Sequence, residues 1–209
     1  IINKAIIIGS GGHCRSVVST MLENKIIPQI IFDISNQNSQ NEFIMNVPVF
    51  SSNTLEEHIN MNSLFFIAIG DNKLRREWYN KIKKLNLQMP NLISKYSFID
   101  KSAKLGDGNY VAPFSYIGPE VVLGENNIIN TKVIVEHEVI LGNSCHLAPG
   151  SIIAGRCAVG SNTFIGIGSK VKDGIKIAKD TTLGAGSVLI NNIETINETH
   201  VGVPAKKIK

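Results

Sequence analysis

Apolar residues in the second half of this chain recur at every sixth position. Stepping by six from Ile99 reaches Leu105, Val111, Ile117, Leu123, Ile129, Val135 and Leu141, then Leu147, Ile153, Val159, Ile165, Val171, Ile177, Leu183 and Leu189. Every step lands on Ile, Leu or Val. A helix would need apolar spacings of three and four, and a half-buried strand would alternate with period two. A strict six fits neither. It predicts a solenoid of short strands separated by corners, in which each long apolar side chain points inward and stacks on its equivalent in the next coil. Four residues after each apolar position stands a small, β-branched or compact polar residue, such as Ser115, Asn127, Cys145, Cys157 or Thr163. Glycine follows the apolar residue at 106, 118, 124, 142, 160, 166 and 184, where the expectation is a tight corner that needs permissive backbone. The phase holds from 99 to 189, so no large loop interrupts the column.

The pattern before residue 95 is different. Lys4-Ala5-Ile6-Ile7-Ile8 is a short apolar run, followed by Gly9-Ser10-Gly11-Gly12-His13 and a helical stretch to about Glu23. Ile30-Ile31-Phe32-Asp33 reads as a second strand ending in an acid, and Leu64 through Gly70 as a third. Asp71 through Leu87 has amphipathic spacing, with Leu74, Trp78, Ile82 and Leu85 expected on the buried side and Asp71 as N-cap. Strand, glycine loop, helix, and a second strand tipped by an acid read as a small βαβ nucleotide-binding unit. Backbone N–H groups at the opening of a helix form a ready anion site. Three segments follow: a Rossmann-like domain over 1–95, a β-helix over 96–193, and a C-terminal cap over 194–209.

Bulk properties narrow the class. Charged residues are 18% of the chain and apolar residues 43%, ordinary for a globular protein. No apolar run approaches the ~18 residues of a membrane-spanning helix. Ile1-Ile2-Asn3-Lys4 leads into a strand with no small-residue cleavage site behind it, which argues against a signal peptide. Cys14, Cys145 and Cys157 are an odd set without C-x-x-C spacing, so neither a disulfide framework nor a zinc knuckle is expected, and a reducing cytoplasm fits. Both coil cysteines fall at the small inward position and are assigned to packing. The net charge of +4 is mild, with no basic run beyond Lys206, Lys207 and Lys209 and no interleaved aromatics. Nucleic-acid binding is not expected.

Of the five histidines, His137 and His146 lie within the hexapeptide region. His137 stands between Glu136 and Glu138, two positions past the inward Val135, at a corner from which it can face out. A carboxylate on one imidazole nitrogen fixes the tautomer and raises the basicity of the other, which is general-base chemistry. A surface histidine in a charged corner would show the same spacing, and either glutamate could be the partner.

With these motifs, including the Gly202-Val203-Pro204-Ala205-Lys206 tail and the Ala68-Ile69-Gly70 strand end, the whole chain resembles the bacterial hexapeptide-repeat sugar acetyltransferases. That family comprises UDP-4-amino-sugar N-acetyltransferases and sialic acid O-acetyltransferases. The resemblance implies a left-handed parallel β-helix with three hexapeptides per coil, acetyl-CoA as acyl donor, no metal, and a homotrimer that places coenzyme A between neighbouring columns. It implies His137 as general base with Glu138 as its modulator, and His146 beside the acetyl group. Gly155, Ile167 and Ala185 would line the donor groove, with the Gly155 N–H as a candidate for polarising the thioester carbonyl. In the N-terminal domain, Gly11, Gly12 and His13 would approach phosphate or sugar, and Asp33 and Gly70 the uridine end of the acceptor. Two positions depart from the family pattern: Ile34 replaces a second acid, and Cys14 replaces a small residue. Both bear on the nucleotide. Two other classes share the column: a zinc lyase of the carbonic anhydrase type, which needs three histidines, and a non-catalytic structural trimer.

Overall fold

The computed structural model describes residues 4–35, 42–59 and 62–208. Ile1 to Asn3, expected to lead into the first strand, and Lys209 of the basic tail lie outside the described residues. The chain divides into two compact units, Ile1–Leu92 and Ile93–Lys209.

The first unit is an α/β sheet of order β3-β4-β2-β1-β5 among the described residues. Its elements are β1 (Ala5–Ile8), α1 (Gly12–Glu23), β2 (Pro28–Asp33), β3 (Glu42–Ile44), β4 (Val47–Ser51), α2 (Leu55–His58), β5 (Leu64–Ile67) and α3 (Asn72–Lys84). β1 pairs in parallel with both β2 and β5, which makes the arrangement Rossmann-like. The central strands are apolar without alternation because both faces are covered: Ile6, Ile7 and Ile8 are each fully buried. α1 buries Cys14, Val17, Val18 and Met21, a three-and-four spacing.

α3 starts where expected. The Asp71 carboxylate accepts the Leu74 N–H at 2.8 Å, and Lys81, Lys83 and Lys84 sit in the last turn, where the helix dipole favours cations. Its buried face is the expected one only in part: Ile82 is buried and Trp78 packs half-buried against the core, as expected. Arg75, Tyr79 and Ile82 are buried, whereas Leu74 and Leu85 are 37% and 47% exposed. A cation that finds buried acceptors outcompetes a leucine for the inward position, which hydropathy spacing alone does not register.

The second unit is a left-handed parallel β-helix with three faces. Up to Leu189 the strands pair eighteen residues apart: Phe98 with Tyr116, Tyr116 with Ile134, Ile134 with Ile152, and so on to Val171 with Leu189. One face carries Tyr116–Ile117, Ile134–Val135 and Ile152–Ile153; the next carries Val122–Leu123, Ile140–Leu141 and Ala158–Val159; the third carries Ile128–Ile129, His146–Leu147 and Phe164–Ile165. The period-six residues from Val111 to Leu189 are buried in one cluster, along with Val121, Cys145 and Cys157. Burial of each such side chain stabilises by roughly 1.5–3 kcal/mol, and each depends on the coils above and below.

The corner glycines serve a different purpose from the one expected. Gly106, Gly118, Gly124, Gly142, Gly160, Gly166 and Gly184 do not have positive φ. The left-handed residue lies two positions later, at fourteen successive corners from Gly108 to Gly186, with φ between +56° and +69°. Nine of those fourteen are not glycine, Glu138 and Arg156 among them. Their amides offset the backbone cost by donating to the coil below, as Glu138 N does to Pro119 O and Arg156 N to His137 O, both at 2.9 Å. The glycines next to the apolar positions answer instead to close approach between coils. A Cβ on Gly166 would lie 2.5 Å from Ala185 N, and one on Gly142 2.6 Å from Ser161 N.

The tail does not leave the column at once. Ile193 bridges to Ile177, and Thr199–Val201 continues the third face beside Thr182–Leu183. The chain then turns through 202–205, where the Val203–Pro204 peptide is cis, and Lys206–Lys207 pairs back antiparallel. Glu198 accepts from Lys207 and contacts His200, each at 2.8 Å.

Candidate active site and nucleotide pocket

His137 occupies the corner between the first and second faces. Its Nδ1 lies 2.9 Å from Glu138 Oε2. The two side chains are 44% and 49% exposed, so the contact is screened and orients the ring more than it stabilises the fold. A carboxylate accepts, so the network assigns the Nδ1 proton and leaves Nε2 as the basic atom. Glu138 makes this contact from the left-handed position common to these corners, with φ +60°. Of the two flanking glutamates, Glu138 is the one in hydrogen-bond contact among the described residues.

Gly155 sits one coil along on the same corner. The family resemblance places Gly155 in the lining of the donor groove. The geometry gives its missing side chain first to the imidazole: a Cβ there would lie 2.5 Å from His137 Nε2. The Gly155 amide makes no hydrogen bond among the described residues, as is usual at this corner position, and is available as a donor.

His146 lies on the third face, across the column from the His137 corner. Asn130 fixes its state. The Asn130 Oδ1 accepts from Thr131 N at 2.8 Å, so its amide nitrogen faces His146 Nε2 at 3.3 Å as a donor. His146 Nε2 is then the acceptor and Nδ1 carries the proton. Phe164 closes one side of the ring edge-on, with centroids 5.2 Å apart. Ile167 and Ala185 line up at the corner between the third and first faces, both exposed. Within one chain, therefore, His137 and Gly155 stand together, and His146, Ile167 and Ala185 stand on another side. Cys145 and Cys157 are buried, with Sγ atoms near the Gly160 and Lys172 carbonyls at 3.3 and 3.1 Å.

The first unit holds a separate pocket of about 410 Å³, lined by Gly9 to His13, Asp33 to Ser35 and Ala68 to Gly70. Gly11, Gly12, His13, Asp33 and Gly70 all fall in it, as does Ile34, whereas Cys14 does not line it. Gly9 has φ +105°, and a Cβ there would lie 2.9 Å from Ala68 O, so glycine is required twice over. Gly11, Gly12 and Gly70 face open space. α1 starts at Gly12 with no side-chain cap and no acid in its first turn, which leaves its dipole open to an anion. Asp33 accepts from Ser10 Oγ at 2.8 Å, Ser35 Oγ at 2.7 Å and Ser35 N at 3.1 Å. Burial pushes the Asp33 carboxyl up, but the Ser35 and Ser10 hydroxyls and the Ser35 and Ile34 amides outweigh it and hold it below the ordinary value. Burial pushes the Cys14 thiol up to about 11, so it stays neutral behind the loop.

Residues 4–82 match the PglD N-terminal domain family. Over its whole length the chain is similar to a histidine-to-asparagine variant of perosamine N-acetyltransferase from Caulobacter crescentus, solved in complex with CoA and GDP-perosamine. The two share 31% identity over 100% of this chain and 98% of that one, with a TM-score of 0.91. This chain belongs to the hexapeptide-repeat sugar acetyltransferases. A second member, the acetyltransferase domain of PglB from Neisseria gonorrhoeae FA1090 in complex with acetyl coenzyme A, is 26% identical over 99% of each chain, with a TM-score of 0.90. The uncharacterized protein L142 of Acanthamoeba polyphaga mimivirus is 30% identical over 104 residues, covering 50% of this chain; the chain spans 20% of that relative's length.

In this sugar acetyltransferase, sequence reasoning missed three groups. Ser10 and Ser35, which grip Asp33, are ordinary loop residues until the pocket closes around them. Asn130, seven residues before His137 and on a different corner, carries no signal linking it to His146 sixteen residues on. Arg75 was hidden on the face assigned to solvent. Among the described residues, no group of three or more His, Cys, Asp or Glu side chains is placed to hold a metal ion, and no helix is long and apolar enough to cross a membrane.

Proposed function

We propose that this enzyme transfers an acetyl group from acetyl-CoA to the 4-amino group of a UDP-linked amino sugar, with His137 as general base. The observation that carries the reading is the His137 ring itself, held by Glu138 at Nδ1 and opened at Nε2 over Gly155. As the amine attacks the thioester carbonyl, a C–N bond forms and the amine proton passes to Nε2. Collapse of the tetrahedral intermediate breaks the C–S bond, and the proton passes on to the departing thiolate. In this reading the Gly155 N–H stabilises the oxyanion, and His146 stands beside the acetyl group.

The donor groove forms between copies of the chain. Support comes from the split within a single column: His137 and Gly155 are on one corner, with Ile167 and Ala185 on another. The face joining those corners presents Phe98, Tyr116, Ile134 and Ile152 outward, and Phe98 is 54% exposed. A homotrimer would cover that face and bring the two corners of neighbours together.

The acceptor's nucleotide is read into the 410 Å³ pocket, with the diphosphate at the open start of α1 and Asp33 accepting from ribose or base. The GDP-perosamine complex of the 31%-identical relative, with Ile34 in place of a second acid here, favours a second reading, a GDP-linked amino sugar. The test is mass-spectrometric detection of product from acetyl-CoA and a panel of UDP- and GDP-linked 4-amino sugars and free or CMP-linked sialic acids. Acetylation of a nucleotide amino sugar at nitrogen is expected. Acetylation of the sialic acids alone would reverse the assignment.

A further inference from the structure

Arg75 plays no part in the reading above, yet it is among the largest fully buried side chains, at 1% exposure. One guanidinium nitrogen donates to the carbonyl oxygens of Ile69 and Gly70, each at 3.1 Å, and the other to Asn72 Oδ1 at 2.8 Å. Ile69 and Gly70 form one rim of the pocket, facing Gly9 and the start of α1. Burying a permanent cation is costly, and a hydrocarbon of similar volume would fill the space without that cost. The charge does something hydrocarbon cannot. It takes two successive carbonyls onto one nitrogen and so fixes the peptide plane between Ile69 and Gly70. It also engages lone pairs that would otherwise offer partial negative charge to an anion at the rim.

We propose that Arg75 is a positioning residue of the nucleotide pocket, holding the Ile69–Gly70 rim in the form that accepts a nucleoside diphosphate. The inference rests on the nucleotide reading of the first unit. Calorimetric titration of the full chain with UDP and with GDP tests both and separates them. Wild type binds one of the two. R75M weakens that nucleotide about tenfold or more and raises the acceptor KM in parallel, while kcat at saturating acceptor and the acetyl-CoA KM stay within about threefold. R75K recovers part of the affinity, because an ammonium replaces the charge but not the planar fork. N72A, which loosens the guanidinium without removing it, costs about threefold. If wild type binds neither nucleotide, the nucleotide reading falls and this inference with it. If wild type binds and folded R75M binds within twofold of it at a lowered melting temperature, Arg75 is packing alone and the inference is overturned. Should R75M not fold, N72A decides in its place, and unchanged affinity in that variant overturns the inference.

Discussion

Gly155 and Gly9 make the same demand in the two units, and the way each demand arises separates them. Both lack a Cβ because one would collide with a neighbour, His137 for the first and Ala68 for the second. In the β-helix that neighbour stands eighteen residues away, one coil along, so the contact follows from arithmetic on the repeat. In the α/β unit the neighbour is fifty-nine positions along, brought close because β1 and β5 lie side by side. A periodic column thus lets a contact in the candidate site be located from sequence spacing. A crossover sheet builds its site from strand ends that share no spacing at all.

The largest expected effect tests the column side. His137→Ala should lower kcat by about 10² to 10⁴ with the acetyl-CoA KM little changed, as steady-state kinetics would show. Near-normal turnover would remove His137 from the mechanism and leave the corner as an ordinary charged surface. Next is stability. Leu147→Ala, in the middle of the stack, should cost about 2–5 kcal/mol in denaturant unfolding, since coils above and below cannot collapse onto the gap. The two kinds of corner glycine can then be set against each other. Gly155→Ala should lower kcat about tenfold or more with a small change in melting temperature, because the methyl displaces an exposed ring. Gly166→Ala, whose Cβ meets backbone, should instead cost about 1–3 kcal/mol of stability and leave the chemistry of folded enzyme intact.

The smallest effect concerns the α/β side and its pH dependence. The folded Asp33 carboxyl is held below its ordinary value of 3.8. Its contribution to stability is therefore complete above that value and is lost as pH falls through the lower folded one. Asp33 should then add no pH dependence to nucleotide affinity between about pH 7 and pH 5, so calorimetry should give parallel pH profiles for wild type and Asp33→Asn, with the variant a few-fold weaker throughout. A fall in wild-type affinity already at pH 5 would mean that another group titrates in the pocket.

Much of the column was legible residue by residue. Val135 faces in, His137 faces out two positions on, and Gly155 lies one coil along. What the repeat did not reveal was which corner residue bends backward. Glycine at 106 or 166 looked like the conformational device, yet the left-handed position falls two residues later and is mostly not glycine, because an interstrand amide bond there offsets the cost. In the first unit, the glycine loop and Asp33 were readable as punctuation after strands. Arg75 was not, because a leucine at 74 with the same helical periodicity offered a more hydrophobic face, and only the nearby carbonyls of Ile69 and Gly70 reverse that preference.

By itself, the sequence determined that the second half is a solenoid of short strands with a corner every six residues, since a strict period of six fits neither a helix nor an alternating strand; the three sides were implied by the family resemblance and are seen in the eighteen-residue strand register. It determined as well that His137 looks outward beside two carboxylates. Only the tertiary structure decided which glutamate touches the ring, which proton His146 carries, and which helix face a buried cation claims. Those outcomes turn on distances between residues that no period relates, and short-range polar contacts are settled by distance.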